Sequence, residues 1–331
     1  MLMTIRSLAA IFAAFLLSFN IARAEQVFSV DTVLGEWTDS SRGGRVVPYK
    51  LYIPHAAPGS RPVVIFSHGL GGSRDGAVYL LEYLAAHGYV AVAVQHRGSD
   101  TPAVMSEGGF GNGDPETLKD RLKQSISPAV TIDRFRDIPF AITSLTMMNT
   151  SDQALRGKLD LDHIGMSGHS FGAITTMALV GQAFGGGRMS FSDQRIKAAI
   201  AYSPSKPRRE GSDAFAGIHI PTFHMTGTED KNPLDASEAP SDRQIPYRSI
   251  TAADKFLLVF NGGDHMVFSG RDFRGLPRPN DAKFHALVQK ASLAYWDAYL
   301  LNNNDAKVYL TNGGFARDLA AEGTFEFQLT K

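Results

Sequence analysis

Two short runs of uninterrupted apolar residues constrain the fold of this chain more than any other feature. Residues 62–67 (PVVIFS) and 89–95 (YVAVAVQ) lack the polar alternation of a half-exposed strand, so each is predicted to be a strand buried on both faces. Between them, residues 75–87 carry apolar side chains at helical spacing, and Gly88 follows as a stop signal. Together they predict a parallel sheet covered by helices.

The same alternation of strand and helix continues through the rest of the chain. We predict further strands over residues 164–167, 196–202, 222–226 and 255–260, and helices over residues 132–148, 173–184 and 283–301. No internal repeat or low-complexity tract interrupts the pattern. The sequence therefore predicts an α/β fold with a mostly parallel central sheet and helices on both of its faces.

The N-terminal segment has the composition of an export signal. Arg6 precedes an uncharged apolar run over residues 8–17, and Ala22-Arg23-Ala24 has small residues at the two positions that a signal peptidase reads. The run is too short to span a bilayer, so cleavage after this triplet is favoured over a retained membrane anchor. We expect a signal peptide over residues 1–24 and a single domain over residues 25–331 that is periplasmic or secreted.

Composition excludes several classes of partner and chemistry. Lysine plus arginine equals aspartate plus glutamate at 33 each, and no basic stripe is present, so a nucleic-acid partner is not expected. The chain has no cysteine, which excludes disulfides, a cysteine nucleophile, an iron–sulfur cluster and a cysteine-based zinc site. The stability of the fold must therefore come from core packing.

The pentapeptide Gly168-His169-Ser170-Phe171-Gly172 is the central motif. A G-x-S-x-G match is weak by itself, because a chain with 32 glycines contains such patterns by chance. Here a strand pattern precedes the motif and a helix pattern follows it, which is the arrangement of a nucleophile elbow. The elbow predicts Ser170 as a nucleophile, with small flanking residues that leave room for a strained turn.

A second glycine-rich segment, His68-Gly69-Leu70-Gly71-Gly72, directly follows the strand predicted over residues 62–67. A loop of this kind supplies one backbone N–H of the oxyanion hole in α/β-hydrolases, and Leu70 is the predicted donor. The second predicted donor is the N–H of Phe171, at the start of the helix after the elbow. Without the G-x-S-x-G motif, this segment would be interpreted as an ordinary glycine-rich turn between a strand and a helix. His68 itself is expected to have a structural and not a catalytic role.

Chain order selects the general base among the ten histidines. The order serine, acid, histidine requires a late histidine after a strand, and His265 follows the strand predicted over residues 255–260. His285 lies in a helical pattern, His224 lies inside a predicted buried strand, and His169 is expected to point elsewhere on the elbow. His265 is therefore the predicted base, and His224 is interpreted as a satisfied core residue.

Asp230 is the predicted acid, because it follows the strand over residues 222–226 and precedes the predicted base. A carboxylate at this place would hold the imidazole in the productive tautomer. Glu229 is the close alternative, since an error of one residue in reading the turn would exchange the two.

Two polar segments interrupt the alternation, and both follow predicted strand ends, where an open α/β sheet builds its ligand site. Residues 99–127 are rich in glycine, with Phe110 as their one aromatic residue, and residues 228–248 are rich in proline and aspartate. Loops of this length are often functional. We predict that the first segment is a cap or lid and that the second borders the acid.

Four segments resemble the plasma-type platelet-activating-factor acetylhydrolase and dienelactone-hydrolase-like branch of the α/β-hydrolases. They are residues 66–72 (FSHGLGG), 84–90 (LAAHGYV), 95–97 (QHR) and 168–172 (GHSFG). The resemblance extends over about residues 46–180 and is weaker around His265. It implies the α/β-hydrolase fold, with Ser170 as nucleophile, His265 as base, and Leu70 and Phe171 as oxyanion donors.

The chain departs from the plasma-type acetylhydrolases at the acid. In that group the acid follows the strand directly after the nucleophile helix, but here the corresponding strand ends Ala201-Tyr202-Ser203-Pro204, without a carboxylate. Asp230 stands one strand later, as in dienelactone-hydrolase-like and many other α/β-hydrolases. The sequence therefore predicts hydrolysis of esters in general, and this prediction does not extend to the acetyl groups of phospholipids in particular.

These features predict a serine hydrolase that cleaves carboxylic esters, short-acyl or lipid-like, through an acyl-enzyme intermediate. The alternatives are an amide-bond hydrolase on the same scaffold and a non-catalytic binding protein that retains the fold. No metal or organic cofactor is expected, and the expected partner is a small-molecule ester. Apolar residues on loops near the predicted site indicate an acyl pocket: Met105, Phe110, Met266 and Phe268.

Overall fold

The computed structural model describes residues 27–105, 115–207, 212–235, 237–270 and 278–330. The predicted signal peptide and Phe110 lie outside these ranges. Within them, no helix is both long enough and apolar enough to cross a membrane.

Nine strands of the described residues form one sheet. They are β1 (Val30–Asp39), β2 (Arg45–Pro54), β3 (Arg61–Ser67), β4 (Val90–Val94), β5 (Leu159–His169), β6 (Ile196–Tyr202), β7 (Thr222–Glu229), β8 (Lys255–Asp264) and β9 (Gly323–Gln328). Their order across the sheet is β1-β2-β4-β3-β5-β6-β7-β8-β9. Neighbours from β4 to β8 run parallel, whereas β1, β2 and β9 pair antiparallel at the two sides.

Helices cover both faces of this sheet. They are α1 (Val78–Ala86), α2 (Thr101–Val104), α3 (Pro115–Ser125), α4 (Pro128–Ser151), α5 (Phe171–Leu179), α6 (Ile245–Ser249), α7 (Asp281–Leu300), α8 (Asn304–Thr311) and α9 (Gly314–Leu319). Alternate residues of β3 enter different cores: Val63 and Ile65 join the core that contains α4 and α5, and Val64 joins the core that contains α1 and α7. The predicted α/β-hydrolase fold, with a mostly parallel sheet between helical layers, is confirmed.

Each strand predicted from the sequence is present, but three strands were missed, and the helices predicted over residues 75–87 and 173–184 were too long. The missed strands β1, β2 and β9 are the antiparallel ones at the sides of the sheet, where β1 and β9 have mixed exposure and no continuous apolar run. The helix predicted over residues 173–184 ends at Leu179. Gly181 lies just beyond it with φ 124°, packed against the carbonyl of Gly217, so no side chain fits there.

The order of the parallel strands determines which turns meet. Because β3 pairs with β5, the loop after β3 lies beside the turn after β5. Because β7 pairs with β8, the segments that follow those two strands are also adjacent. The carboxyl ends of these strands face the same edge of the sheet, which is where α/β folds place a ligand site.

His224 lies in the middle of β7 with no exposed surface. The prediction of a satisfied core histidine was wrong in one respect. Nδ1 lies 3.4 Å from the carbonyl oxygen of Phe256, but Nε2 has no hydrogen-bond partner among the described residues. Burial lowers the pKa of His224 to about 3, so the ring stays neutral in the folded protein over a pH range in which the unfolded chain protonates it.

We expect acid to destabilise the fold in part through His224. Between the unfolded pKa of 6.5 and the folded pKa of about 3, the unfolded state binds the extra proton, so the free energy of unfolding falls as pH falls. The variant His224→Leu should therefore lose about 2–3 kcal/mol less stability than the wild type between about pH 7 and about pH 4.5.

Urea denaturation at both pH values measures this difference. The matched control is His219→Gln, which changes an exposed histidine and should keep the wild-type dependence on pH. Equal losses of stability in His224→Leu and the wild type would contradict the role given to His224.

Candidate active site

Ser170 occupies the turn between β5, which ends at His169, and α5, which begins at Phe171. Its φ of 57° lies in the left-handed region that side chains other than glycine rarely adopt. Its N–H donates to the carbonyl of Tyr202 on β6 at 2.9 Å. The backbone is therefore strained in the manner of a nucleophile elbow and held by the neighbouring strand.

The two glycines of the motif make this turn sterically possible. A side chain at Gly168 would collide with the backbone of Gly172, and one at Gly172 would collide with the carbonyl of Ser67 at the end of β3. The start of α5 thus lies directly against the end of β3, from which the loop of residues 68–72 departs.

His265 follows the end of β8 and faces Ser170. Its Nε2 lies 2.9 Å from Ser170 Oγ, within the range of a hydrogen bond donated by the hydroxyl. The His265 carbonyl accepts a hydrogen bond from His169 Nε2 at 2.7 Å. Burial lowers the pKa of His169 to about 3, so this ring is neutral. His169 was expected to point elsewhere, but it ties the turn of the predicted nucleophile to the backbone of the predicted base.

Asp230 is fully buried behind His265. Its Oδ1 accepts a hydrogen bond from His265 Nδ1 at 2.8 Å, and its Oδ2 accepts from Ser203 Oγ at 2.5 Å and Thr226 Oγ1 at 2.8 Å. Burial alone would raise the pKa of Asp230, but the hydrogen bond and charge of His265, together with the charge of Arg243, outweigh it and lower the pKa. The group is therefore an ionised carboxylate at neutral pH.

The two candidates for the acid have different surroundings. Glu229 is the last residue of β7, is exposed, and pairs in register with Asp264 of β8. Asp230, one residue later, turns inward to the His265 ring. The structure brings Asp230, and not Glu229, into contact with the histidine.

Leu70 and Phe171 both line the cavity that contains the nucleophile turn. Among the described residues, neither backbone N–H has a hydrogen-bond acceptor. The peptide between Gly69 and Leu70 is held by its carbonyl, which accepts from His68 Nδ1 at 2.6 Å and from the N–H of Gly72 at 3.1 Å. His68 thus has the structural role expected of it, which is to orient the peptide that carries the Leu70 N–H.

A cavity of about 730 Å³ opens over Ser170 and His265. Its apolar wall is formed by Phe66, Leu70, Val104, Met105, Leu122, Ile126, Ile174, Phe184, Pro233, Leu234 and Met266. Polar groups at the cavity are Gln182, Lys206, Asn232, Glu238 and Arg243. Part of the wall comes from α2, α3 and the residues that adjoin them, within the segment predicted as a cap or lid.

Two of the residues predicted for the acyl pocket are in this wall and one is not. Met105 and Met266 line the cavity. Phe268 has no exposed surface and packs in the core, with its ring centroid 5.9 Å from that of Tyr202. The prediction for Phe268 was wrong, because the residue lies in the short 3-10 helix at Val267–Ser269 with its ring packed against Tyr202 and Phe260.

Sequence reasoning missed the groups that support Asp230. Arg243 is almost fully buried, and its Nε lies 3.3 Å from Asp230 Oδ1. Ser203 stands at the strand end where the plasma-type acetylhydrolases place their acid, and its hydroxyl donates to Asp230, which follows the next strand of the sheet. The hydroxyl at that strand end was a signal in the sequence, but nothing local pointed to the arginine. Within the described ranges, no cluster of three or more histidine, aspartate or glutamate side chains could hold a metal ion.

A serine on a strand–helix turn, a histidine after a late strand and a buried aspartate between them form the arrangement found in α/β-hydrolases. Comparisons with known proteins point to one branch of that class. The family model described as Platelet-activating factor acetylhydrolase, isoform II matches residues 29–108. The matched residues include the loop of residues 68–72, and the elbow lies beyond them.

Individual relatives extend the similarity further along the chain. The platelet-activating factor acetylhydrolase of Cavia porcellus is 26% identical over 301 residues, which cover 83% of this chain and 66% of that protein. The protein of the same name from Bos taurus is 28% identical over 189 residues, covering 50% of this chain and 39% of the relative. Cutinase est1 of Thermobifida alba is 22% identical over 207 residues, covering 62% of this chain and 53% of the relative.

The chain spans just under two thirds of the guinea-pig protein and less of the other two. The resemblance to the platelet-activating factor acetylhydrolases predicted from the motifs is confirmed. Acetylhydrolase and cutinase are both names of carboxylic-ester hydrolases, which supports the predicted class of serine ester hydrolase.

We expect Asp230→Asn to lower kcat for p-nitrophenyl acetate by roughly 10⁴-fold, because an amide in this position favours the wrong imidazole tautomer. Glu229→Gln changes the exposed neighbour and should keep near wild-type turnover. Steady-state kinetics on both variants, with circular dichroism to verify folding, makes the comparison. A large loss of kcat in Glu229→Gln, with near wild-type kcat in Asp230→Asn, would instead assign the acid role to Glu229.

Proposed function

We propose that the protein is a serine esterase that hydrolyses carboxylic esters through an acyl-enzyme intermediate. The observation that carries the proposal is a series of two hydrogen bonds, in which Ser170 Oγ donates to His265 Nε2 at 2.9 Å and His265 Nδ1 donates to Asp230 Oδ1 at 2.8 Å. The series ends at the Ser170 hydroxyl, which faces an apolar cavity. A serine hydroxyl that is hydrogen-bonded to an imidazole is suited to attack a carbonyl carbon.

In the first half of the proposed reaction, Ser170 Oγ gives its proton to His265 Nε2 and attacks the ester carbonyl carbon. The carbonyl oxygen becomes an oxyanion, which accepts hydrogen bonds from the N–H groups of Leu70 and Phe171. His265 then protonates the leaving alcohol, and the acyl group stays on the serine. Water attacks the acyl-enzyme by the same route and releases the carboxylic acid.

Asp230 has two tasks in this scheme. It accepts the Nδ1–H of His265, which leaves Nε2 free to take the proton of the nucleophile. When the imidazolium forms, the carboxylate stabilises its charge. The lowered pKa of Asp230 serves both tasks, because a protonated carboxyl would do neither.

The substrates we propose are short-acyl or lipid-like esters. The apolar wall of the cavity favours burial of an acyl chain, and a volume of about 730 Å³ is typical of small-molecule sites. The relatives' names add support for an ester, since one is an acetylhydrolase and another a cutinase.

We expect Ser170→Ala to lower hydrolysis of p-nitrophenyl esters by about 10³-fold or more, because the variant lacks the attacking oxygen. A series of p-nitrophenyl esters of increasing acyl length, with p-nitroacetanilide as the amide counterpart, measures both the loss and the preferred substrate.

Ser151→Ala, which removes an exposed hydroxyl at the end of α4, is the control and should keep wild-type turnover. A fluorophosphonate should label the wild type and not Ser170→Ala. Near wild-type ester turnover by folded Ser170→Ala would refute the proposed function.

We propose in addition that the protein is exported, to the periplasm or the medium. The support is the sequence of residues 1–24, with a basic start, a short apolar run and small residues before Glu25. The full chain expressed in a Gram-negative host should be recovered outside the cytoplasm with Glu25 as its first residue, as intact mass spectrometry would show. Recovery of uncleaved chain in the cytoplasm would contradict export.

A further inference from the structure

Arg134 on α4 is a fully buried cation that adjoins the candidate active site. Its guanidinium donates four hydrogen bonds: to the His68 carbonyl at 2.5 Å, Ser99 Oγ at 2.7 Å, Ser67 Oγ at 3.0 Å and Thr175 Oγ1 at 3.2 Å. All four acceptors are uncharged. The proposed reaction assigns no role to this side chain.

The contacts of Arg134 reach both segments that carry the proposed oxyanion donors. On the β3 side, the guanidinium fixes the His68 carbonyl, one peptide unit before the N–H of Leu70. On the α5 side, the ring of Phe171 lies with its centroid 4.3 Å from Arg134 Cζ. Thr175 adds a second link, because its hydroxyl accepts from Arg134 and donates to the Phe171 carbonyl at 3.1 Å.

The charge of Arg134 is not neutralised by a touching carboxylate in the described part of the chain. Asp137, one turn along α4, is already paired with Arg42 at 2.8 Å and Arg45 at 2.7 Å. Burial lowers the pKa of Arg134 to about 9. A buried cation without a direct counter-charge is costly, and negative charge that develops nearby would lower that cost.

We propose that Arg134 is a positioning residue for the oxyanion hole. It holds the segments of Leu70 and Phe171 in a fixed relation and places beside the site where the oxyanion forms a positive charge that no carboxylate of the described residues touches, although Asp137 and Asp100 act on it from a distance. This role rests on the proposed function, because it requires negative charge on a substrate carbonyl oxygen. Since loss of a single oxyanion donor costs roughly 10²–10³ in kcat, disturbing the support of both donors should lower kcat by about 10²-fold or more and leave KM nearly unchanged.

Two inhibitors separate stabilisation of the oxyanion from binding in the cavity. With a hexyl trifluoromethyl ketone, Ser170 Oγ adds to the carbonyl carbon, its proton moves to His265, and the carbonyl oxygen becomes the oxyanion of a tetrahedral adduct. The corresponding secondary alcohol has nearly the same shape but no carbonyl to attack. It reports only on ground-state binding.

The variants to compare are Arg134→Met and Arg134→Lys, each first tested for folding by thermal denaturation. The lysine keeps the charge but loses the planar fork that reaches several acceptors. The matched control is Arg195→Met, because Arg195 also bonds to α4, at the Pro139 carbonyl and Thr143 Oγ1, but touches neither oxyanion segment.

In Arg134→Met, we expect the inhibition constant of the ketone to rise about 10²-fold, in parallel with the loss of kcat, while that of the alcohol stays within about twofold. Arg134→Lys should fall between this variant and the wild type, and Arg195→Met should change neither constant. Equal weakening of ketone and alcohol, or no weakening of either, would overturn the role of Arg134.

If neither Arg134 variant folds, Ser99→Ala provides the test. It removes one acceptor of the guanidinium and should weaken the ketone by about tenfold without affecting the alcohol; an unchanged ketone constant would overturn the inference. Failure of the proposed function gives a different result. The wild type would then bind the ketone no more tightly than the alcohol, and Ser170→Ala would keep its turnover.

Discussion

The left-handed backbone of Ser170 costs free energy, and contacts from the strands on both sides of β5 offset that cost. The N–H of Ser170 is bonded to β6 through Tyr202, and Gly172 packs directly on the end of β3 at Ser67. The second contact has a consequence beyond the elbow. It fixes the start of α5 against the strand that leads into the loop of residues 68–72, so the predicted nucleophile and both predicted oxyanion donors share one rigid support.

Asp230, the predicted acid, depends in the same way on the adjacency of strands. A buried carboxylate is tolerated only with hydrogen-bond donors and counter-charge, and Asp230 receives them from its own strand, from Ser203 at the end of β6, and from Arg243. Because β6 and β7 are neighbours, a carboxylate after either strand has access to the same histidine. The predicted acid of this chain therefore lies one strand further along the sequence than in the plasma-type acetylhydrolases, but on a neighbouring strand of the sheet.

Local sequence patterns predicted the central parallel strands of the sheet and missed the antiparallel strands at its two sides. Continuous apolar runs predicted β3 and β4, and chain order selected Asp230 and His265, which the structure places in contact; these features depend on short segments and on topology. The direction of a ring such as that of Phe268 depends on a single turn of backbone that composition does not encode. Arg134 is the extreme case, since its bond to His68 joins residues 66 positions apart, and an arginine in a helix is ordinarily read as exposed.

Two buried guanidinium groups, those of Arg243 and Arg134, lie near the residues of the proposed reaction. They differ in whether a carboxylate touches them. Arg243 is paired with Asp230, so it holds the carboxylate ionised but also lies 3.4 Å from His265 Nδ1, where it opposes the imidazolium that forms during attack. Arg134 has no such partner among the described residues. In the proposed reaction, proton transfer from Ser170 to His265 places a positive charge against the Asp230 carboxylate and a negative charge on the substrate oxygen, at the N–H groups of the two segments that Arg134 contacts. The Asp230 carboxylate and the segments that Arg134 holds are thus in place before the proposed reaction separates charge, and they need not reorganise to stabilise it.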